Sequence, residues 1–300
     1  MLTRRHLMLA TALCAIMTAA PALAQERIKV IATFSILADL TRNVGGDRVE
    51  VDALVGPNGD AHVYAPAPAD AKKVADAKAV VTNGLGFEGW IARLVKASGT
   101  KAPIVVASKG VKARKAEGGH DHGHGGSDPH AWQSVGNVKT YVDNIRDALA
   151  SADPAGKGTY EANATAYLGK LDALDREIKD AVARIPPERR RIITTHDAFG
   201  YFKAAYGVDF IAPQGVSTES EASARDVARI ITQIRRQKIP AVFLENVSDP
   251  RLSKRIADES GARVGGTLYS DALTDQNGPA PTYIDMIRHN VRALSTALMS

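Results

Sequence analysis

The stretch IKVIATFSILADLTRNVGGDRVEVDALV, residues 28–55, decides the fold. Its first five residues, Ile28-Lys29-Val30-Ile31-Ala32, are a short apolar run that reads as a buried strand. Ile36 to Val44 reads as a helix, and Val49 to Val55 as a second strand. A strand, a helix and a strand in 28 residues form the unit from which parallel sheets are built. Moving outward, the alternation continues. Asp70 to Ala77 is helical, Ala79 to Thr82 a buried strand, Phe87 to Ala97 a helix and Ile104 to Ala107 a strand. After a loop rich in glycine and histidine, Val135 to Ala150 forms a helix with Val138, Val142, Ile145 and Leu149 on one face. Residues 25–152 are therefore expected to form an α/β lobe, a mostly parallel sheet with flanking helices.

Residues 187–300 repeat the theme. Strands are expected at Arg191 to Thr195, Asp209 to Ala212, Ala241 to Leu244 and Ala262 to Gly266. Helices are expected at Asp197 to Tyr206, Ser223 to Lys238, Pro250 to Ser260 and Pro281 to Leu298. Between the halves, residues 153–186 carry one long helical pattern. Tyr160, Tyr167, Leu171, Leu174, Ile178 and Val182 recur at spacings of three, four and seven. Such a helix, from Tyr160 to Ile185, would reach about 39 Å, enough to join two lobes. An ordinary amphipathic helix packed on one domain is the alternative.

The first 24 residues read as a secretory signal peptide. Arg4-Arg5 is followed by an apolar run from Leu7 to Ala20, and Ala22-Leu23-Ala24 offers a small-x-small cleavage site before Gln25. The paired arginines leave both the general and the twin-arginine export routes open. No later stretch is long and apolar enough to span a bilayer. Cys14, the one cysteine, falls within the leader, and the large Leu13 before it does not suit lipid attachment. The exported chain would have no disulfide and no thiolate ligand. Loss of two arginines and no acids lowers the formal charge from +5 to +3. The basic run Glu188-Arg189-Arg190-Arg191 reads as a solvated loop, and nothing pairs basic with aromatic residues as nucleic-acid binding would require.

The histidines carry the chemistry. His62 follows the second strand in Asn58-Gly59-Asp60-Ala61-His62-Val63-Tyr64. His130 stands in Asp128-Pro129-His130-Ala131-Trp132, ahead of a helix. His196 lies between a strand and a helix, and Asp271 follows the strand Ala262 to Gly266. Loops after strands line one crevice at the carboxyl ends of an open sheet. Imidazole and carboxylate are the usual donors to zinc where thiolates are absent. Singly, each histidine reads as an ordinary polar residue and Asp271 as a turn or cap; together, two from each half point to a metal held between lobes. Asp60 and Asp197, beside ligand candidates, are expected to orient imidazoles.

Several segments resemble one family. These are Pro57-Asn58-Gly59-Asp60-Ala61-His62-Val63-Tyr64-Ala65-Pro66, Asn83-Gly84-Leu85-Gly86-Phe87-Glu88, Asp128-Pro129-His130-Ala131-Trp132, His196-Asp197-Ala198-Phe199-Gly200-Tyr201-Phe202, Gln214-Gly215-Val216-Ser217-Thr218 and Tyr269-Ser270-Asp271. In this order they resemble the zinc- and manganese-binding receptors of ABC importers, the ZnuA-like and TroA-like group, over essentially the whole exported chain. The resemblance implies two lobes joined by a single long helix, with four ligands on His62, His130, His196 and Asp271. Ala61 and Ala65 depart from the proline and glutamate of many relatives, which bears on loop stiffness. The disulfide of some zinc receptors cannot form here.

Zinc is favoured over manganese because manganese members often carry a glutamate where this chain has His196, and three imidazoles suit a borderline ion. The loop Gly118-Gly119-His120-Asp121-His122-Gly123-His124-Gly125-Gly126 reads either as a solvated insert or as a weak auxiliary site built from His120, Asp121, His122 and His124. Receptors of the group often carry a histidine-rich loop here. Gly84-Leu85-Gly86-Phe87-Glu88-Gly89 fits a dinucleotide fingerprint, but the acidic residue such a site needs is missing, so it reads as a tight turn. His289 falls on the solvated face of the closing helix, and Glu219 and Glu221 read as complements to a helix start.

The expected function is a monomeric periplasmic zinc receptor serving a membrane-embedded ABC permease, with a zinc chaperone as a possible donor and no catalysis. A manganese or mixed zinc/manganese receptor is the alternative, followed by a zinc hydrolase and a metal-binding adhesin.

Overall fold

The computed structural model describes residues 27–116 and 126–299. The leader over residues 1–24 and the loop residues His120, Asp121, His122 and His124 lie outside the described residues.

Two four-stranded parallel sheets organise the chain. In the first, β1 (Ile28–Phe34), β2 (Val49–Val55), β3 (Ala79–Thr82) and β4 (Ile104–Val106) take the order β2-β1-β3-β4. Val30 pairs with Val51 on one side and Ala79 on the other. Helices α1 (Ser35–Gly45), α2 (Pro68–Asp76) and α3 (Ile91–Ser98) make the crossovers, and α4 (Val135–Ala152) follows the last strand. The second sheet has β5 (Arg191–Ile193), β6 (Asp209–Ile211), β7 (Ala241–Glu245) and β8 (Arg263–Leu268) in the order β6-β5-β7-β8, with α6 (Gly200–Tyr206), α7 (Ala224–Gln237), α8 (Pro250–Ser260) and α9 (Tyr283–Met299). Each sheet has a switch point, between β1 and β3 and between β5 and β7. There the chain leaves in opposite directions and opens a crevice.

The long helix α5 (Lys157–Ala183) has 27 residues and a length of about 40 Å. Its buried stripe is Tyr160, Ala164, Tyr167, Leu171, Leu174, Ile178 and Val182. It packs on α1 and α4 of the first lobe and on α6 and α9 of the second, so it joins the lobes. Arg190 donates to the carbonyls of Ile185 and Ala183. A cation and donor at a helix C-terminus satisfies the last carbonyls and complements the dipole.

One apolar core runs through the first lobe, α5, α6 and α9 and reaches Ala241, Phe243 and Leu268 of the second sheet. A smaller core lies on the opposite face of that sheet, where Val227, Ile230, Ile231 and Ile234 of α7 meet Ile193, Val242 and Ile256. Strand β7 serves both cores because successive side chains face opposite ways: Ala241 and Phe243 one way, Val242 the other. Among the described residues no helix is long and apolar enough to cross a membrane.

Several local expectations are corrected. The helix expected from Phe87 starts at Ile91. Gly84, Leu85 and Gly86 all have positive φ (84°, 57° and 84°), a tight turn that helix geometry excludes. The Glu88 carboxylate closes it, accepting the N–H groups of Asn83 (2.6 Å) and Gly84 (3.2 Å) and the Thr33 hydroxyl. Similarly, β5 ends at Ile193 and α6 begins at Gly200, leaving residues 194–199 as a loop. The start of α7 is capped by Ser223, whose Oγ accepts the Asp226 N–H at 3.2 Å; Glu219 and Glu221 are exposed ahead of it. His289 is half-buried, not solvated. It docks on β8, with Nε2 3.1 Å from the Thr267 carbonyl and its ring edge-on to Tyr269.

Asp39 ties α1 to the start of α9. Its carboxylate accepts the Tyr283 N–H at 2.9 Å and the Asn43 amide at 3.2 Å. Burial pushes its pKa up to about 6, against the lowering effects of the Tyr283 N–H and Arg42. A folded carboxyl with a raised pKa binds protons more tightly than the unfolded one. Its contribution to stability is therefore present at low pH and is lost as pH rises from about 4 to about 6. Asp39→Asn keeps an acceptor for Tyr283 and removes the buried charge. The variant should match the parent in urea unfolding near pH 4 and exceed it at pH 7.5, by at most about 3 kcal/mol. A difference that does not change with pH would contradict this.

Candidate metal centre

His62 sits in the loop after β2. Asp60 shapes that loop by accepting the His62 backbone N–H at 2.9 Å, and Thr218 of the second lobe donates to its other oxygen at 2.6 Å. Ala61 is fully buried, and Trp90 Nε1 donates to its carbonyl at 2.8 Å. These bonds hold the loop in place. The His62 ring lies edge-on to Phe87, with centroids 4.6 Å apart.

His130 is placed by Asp128. One carboxylate oxygen accepts both the His130 backbone N–H and its Nδ1–H, each at 2.9 Å, which turns Nε2 toward the centre. Asn83 donates to the Pro129 carbonyl at 2.9 Å, and the Tyr141 hydroxyl donates to Asn83 at 2.5 Å. Gly200 is required opposite: a Cβ there would lie 2.5 Å from Asp128 Oδ2.

His196 occupies the loop after β5, at the second switch point. Glu245, the last residue of β7, accepts the Thr195 and His196 backbone N–H groups (2.6 and 3.1 Å) and the His196 Nδ1–H. Asp271 follows β8 in the second lobe, yet the first lobe positions it. Trp132 Nε1 and Gln133 Nε2 both donate to the Ser270 carbonyl, at 2.8 and 2.7 Å. Asn290 of α9 brackets Tyr269 from behind.

The four side chains converge, with one donor atom from each all within 4.8 Å of one another. His62 Nε2 lies 3.3 Å from His130 Nε2 and 3.5 Å from Asp271 Oδ2. His130 Nε2 is 3.5 Å from Asp271 Oδ1, and His196 Nε2 is 3.0 Å from Asp271 Oδ2. Donors bound to zinc tetrahedrally at 2.0–2.1 Å stand about 3.3 Å apart. His130, His196 and Asp271 are fully buried. Neither Asp271 oxygen nor His196 Nε2 has an aligned hydrogen-bond partner, where buried polar atoms normally do. A cation among the four would satisfy His196 Nε2 and at least one Asp271 oxygen.

Electrostatics fit a cation as well. Burial alone would raise the Asp271 carboxyl, but His196 and His130 outweigh it and hold the group well below the usual carboxylate range. Burial opposes a charge on His196, yet Glu245 and Asp271 push it well above the usual histidine value. Burial lowers His62, against the pull of Asp271 and with His130 and His196 adding to the effect.

Asp60 does not hold an imidazole as expected: its oxygens accept the His62 backbone N–H and the Thr218 hydroxyl. The imidazole partners are Asp128 and Glu245. Asp128 stands two residues before His130 and was legible as its neighbour. Glu245 had one sequence signal, an acid directly at the end of the apolar run Ala241 to Leu244.

Comparison with known proteins agrees with the geometry. Residues 30–297 match the family described as ZnuA, zinc-uptake complex component A, periplasmic. The manganese-binding lipoprotein MntA of Halalkalibacterium halodurans is 36% identical over 273 residues, covering 91% of this chain and 89% of the relative. The iron-binding protein YfeA of Yersinia pestis is 34% identical over 270 residues, covering 90% and 86%. The periplasmic zinc-binding protein TroA of Treponema pallidum superposes with a TM-score of 0.85 at 29% identity, covering 91% of this chain and 99% of that one. With a family match over nearly its whole described length and relatives of this identity, the chain belongs to the ZnuA family of periplasmic metal-uptake components.

Proposed function

We propose that this chain is a periplasmic receptor that binds one zinc ion through His62, His130, His196 and Asp271 and hands it to a membrane-embedded ABC permease. The observation that carries the reading is the convergence of those four donors from both lobes on one buried point. Three imidazoles and one carboxylate suit a borderline dication of tetrahedral habit. Manganese is the second reading, favoured by the names of relatives such as MntA; a hard ion would gain less from imidazoles than from carboxylates. The role is carriage without catalysis, since four protein ligands occupy the position that catalytic zinc keeps open for water. One chain supplies every donor, which supports action as a monomer, and a periplasmic zinc chaperone is a compatible source of the ion. The reading divides the chain into an export signal over 1–24, lobes over 25–152 and 187–300, and the connecting helix segment 153–186.

Metal competition on the purified exported protein tests the site. Zinc should outcompete manganese. His196→Ala should weaken zinc binding by more than roughly 100-fold, beyond what the loss of a supporting group costs. His289→Ala should leave it unchanged, because His289 binds the Thr267 carbonyl away from the centre. Equal losses at both positions would refute the assignment.

The auxiliary site at His120, Asp121, His122 and His124 belongs to the same proposal. Its flanks are pinned: Lys115 pairs with Ser127 in an antiparallel bridge, and the Ala116 N–H donates to the Gly126 carbonyl at 3.2 Å. That base lies three residues before His130 in sequence. Glycine-rich backbone makes ordering on a metal entropically costly, so this site is the weaker one. Calorimetric titration should find a second, weaker zinc equivalent that disappears when residues 118–125 are deleted, with the tight equivalent retained. Identical stoichiometry in both proteins would make the loop a solvated insert.

A further inference from the structure

Glu245 lies outside the four donors, yet it is buried at 3% exposure among them. One oxygen accepts the Thr195 and His196 backbone N–H groups at 2.6 and 3.1 Å, and the other accepts the His196 ring N–H at Nδ1. On the far side of the same ring, Nε2 is 3.0 Å from Asp271 Oδ2. The imidazole is thus held between two carboxylates, one from the end of β7 and one from the loop after β8. Asp128 does the same for His130 in the first lobe, so the arrangement occurs twice, on unrelated loops.

We infer that Glu245 is a positioning residue that sets the metal affinity of the centre through His196 without touching the ion. The inference rests on the zinc-receptor reading. A neutral imidazole carries one ring proton, and a carboxylate at Nδ1 keeps it there. Nε2 then presents a lone pair to the crevice in a fixed direction. The buried negative charge also polarises the Nδ1–H bond and makes Nε2 a stronger donor, as carboxylates behind metal-binding histidines do. Shape and charge make different demands here, and two substitutions separate them. Glu245→Gln is nearly isosteric and keeps an oxygen for the two backbone N–H groups. It removes the charge and aims an amide N–H₂ at Nδ1, which moves the ring proton to Nε2, where the metal must bind. Glu245→Asp keeps the charge and shortens the side chain.

The test uses the exported protein, zinc as the probe and competition against a chromophoric chelator. Glu245→Gln should bind zinc about 10- to 100-fold more weakly. Glu245→Asp, which keeps the charge, should lose less. A Gln variant within roughly twofold of the parent, or an Asp variant weaker than the Gln variant, would overturn the inference, since the first removes the effect and the second makes it one of shape. If the Gln variant does not fold, the Asp variant decides. A measurable loss smaller than about tenfold supports the role, and parent affinity or a larger loss refutes it. His196→Ala in parallel separates the two levels: if it binds zinc like the parent, the centre itself is misassigned, whereas lost binding there with an unaffected Gln variant condemns only the role of Glu245.

Discussion

A carboxylate removed from water is costly unless it is paired, and Asp271 is fully buried. Three histidines surround it, and the rest of the molecule is arranged to keep that set together. Asp271 belongs to the second lobe, but its position is fixed by Trp132 and Gln133, which follow His130 in the first. A metal site assembled by two lobes needs each lobe to hold the other's ligands in register. The Ser270 carbonyl, which accepts both bonds, does this next to the carboxylate itself. Tyr283, at the start of α9, donates its hydroxyl to the Trp132 carbonyl at 2.8 Å, so the clamp extends into the shared core.

Charge is distributed with the same economy. In the proposed centre Asp271 faces the ion position directly, while Asp128 and Glu245 lie behind the far nitrogens of His130 and His196. Negative charge would thus surround a dication without crowding its coordination shell. Direct coordination by all three carboxylates would suit a harder ion with more ligands. Routing two of them through imidazoles keeps the donor set at three nitrogens and one oxygen.

The alternation of strands and helices was legible because apolar periodicity is a local property. Residues 28–55, the stripe of α5 and the strand at Ala79–Thr82 could be read directly. What failed depended on tertiary partners. The helix from Phe87 was delayed because Glu88 reaches back to Asn83 and Gly84. His289 was placed in solvent because nothing in the helical spacing shows that β8 lies against that face. The four side chains that converge were legible as histidines and an aspartate in loops after strands, reinforced by family resemblance. The groups behind two of them were only half visible. Asp128 is a sequence neighbour of its histidine, whereas Glu245 lies 49 residues from His196. Only the adjacency of β5 and β7 brings them together, and no one-dimensional pattern encodes that pairing. Asp60 misled because its second oxygen is taken by the Thr218 hydroxyl of the other lobe, a contact that nearness in sequence does not show.

The distribution of contacts also indicates how cargo leaves. Behind the centre the lobes share one apolar core and are braced by α5. Separating them would expose buried apolar surface at about 25 cal/mol per Å² and strain a helix whose hydrogen bonds are internal. At the open ends of the sheets the lobes meet through a few loop bonds: Thr218 to Asp60, Asn246 to Asn58, and the Asn58 N–H to the Leu273 carbonyl. Each such bond contributes only about 0.5–1.5 kcal/mol net. The loop holding His62 is tied by two of these residues, and its side chain is the least buried of the three histidines. Exchange through movement of that loop breaks a few weak bonds, whereas hinge opening breaks the core. If the centre holds the ion as proposed, the energetic difference favours the loop, and with it His62 as the first ligand to let go.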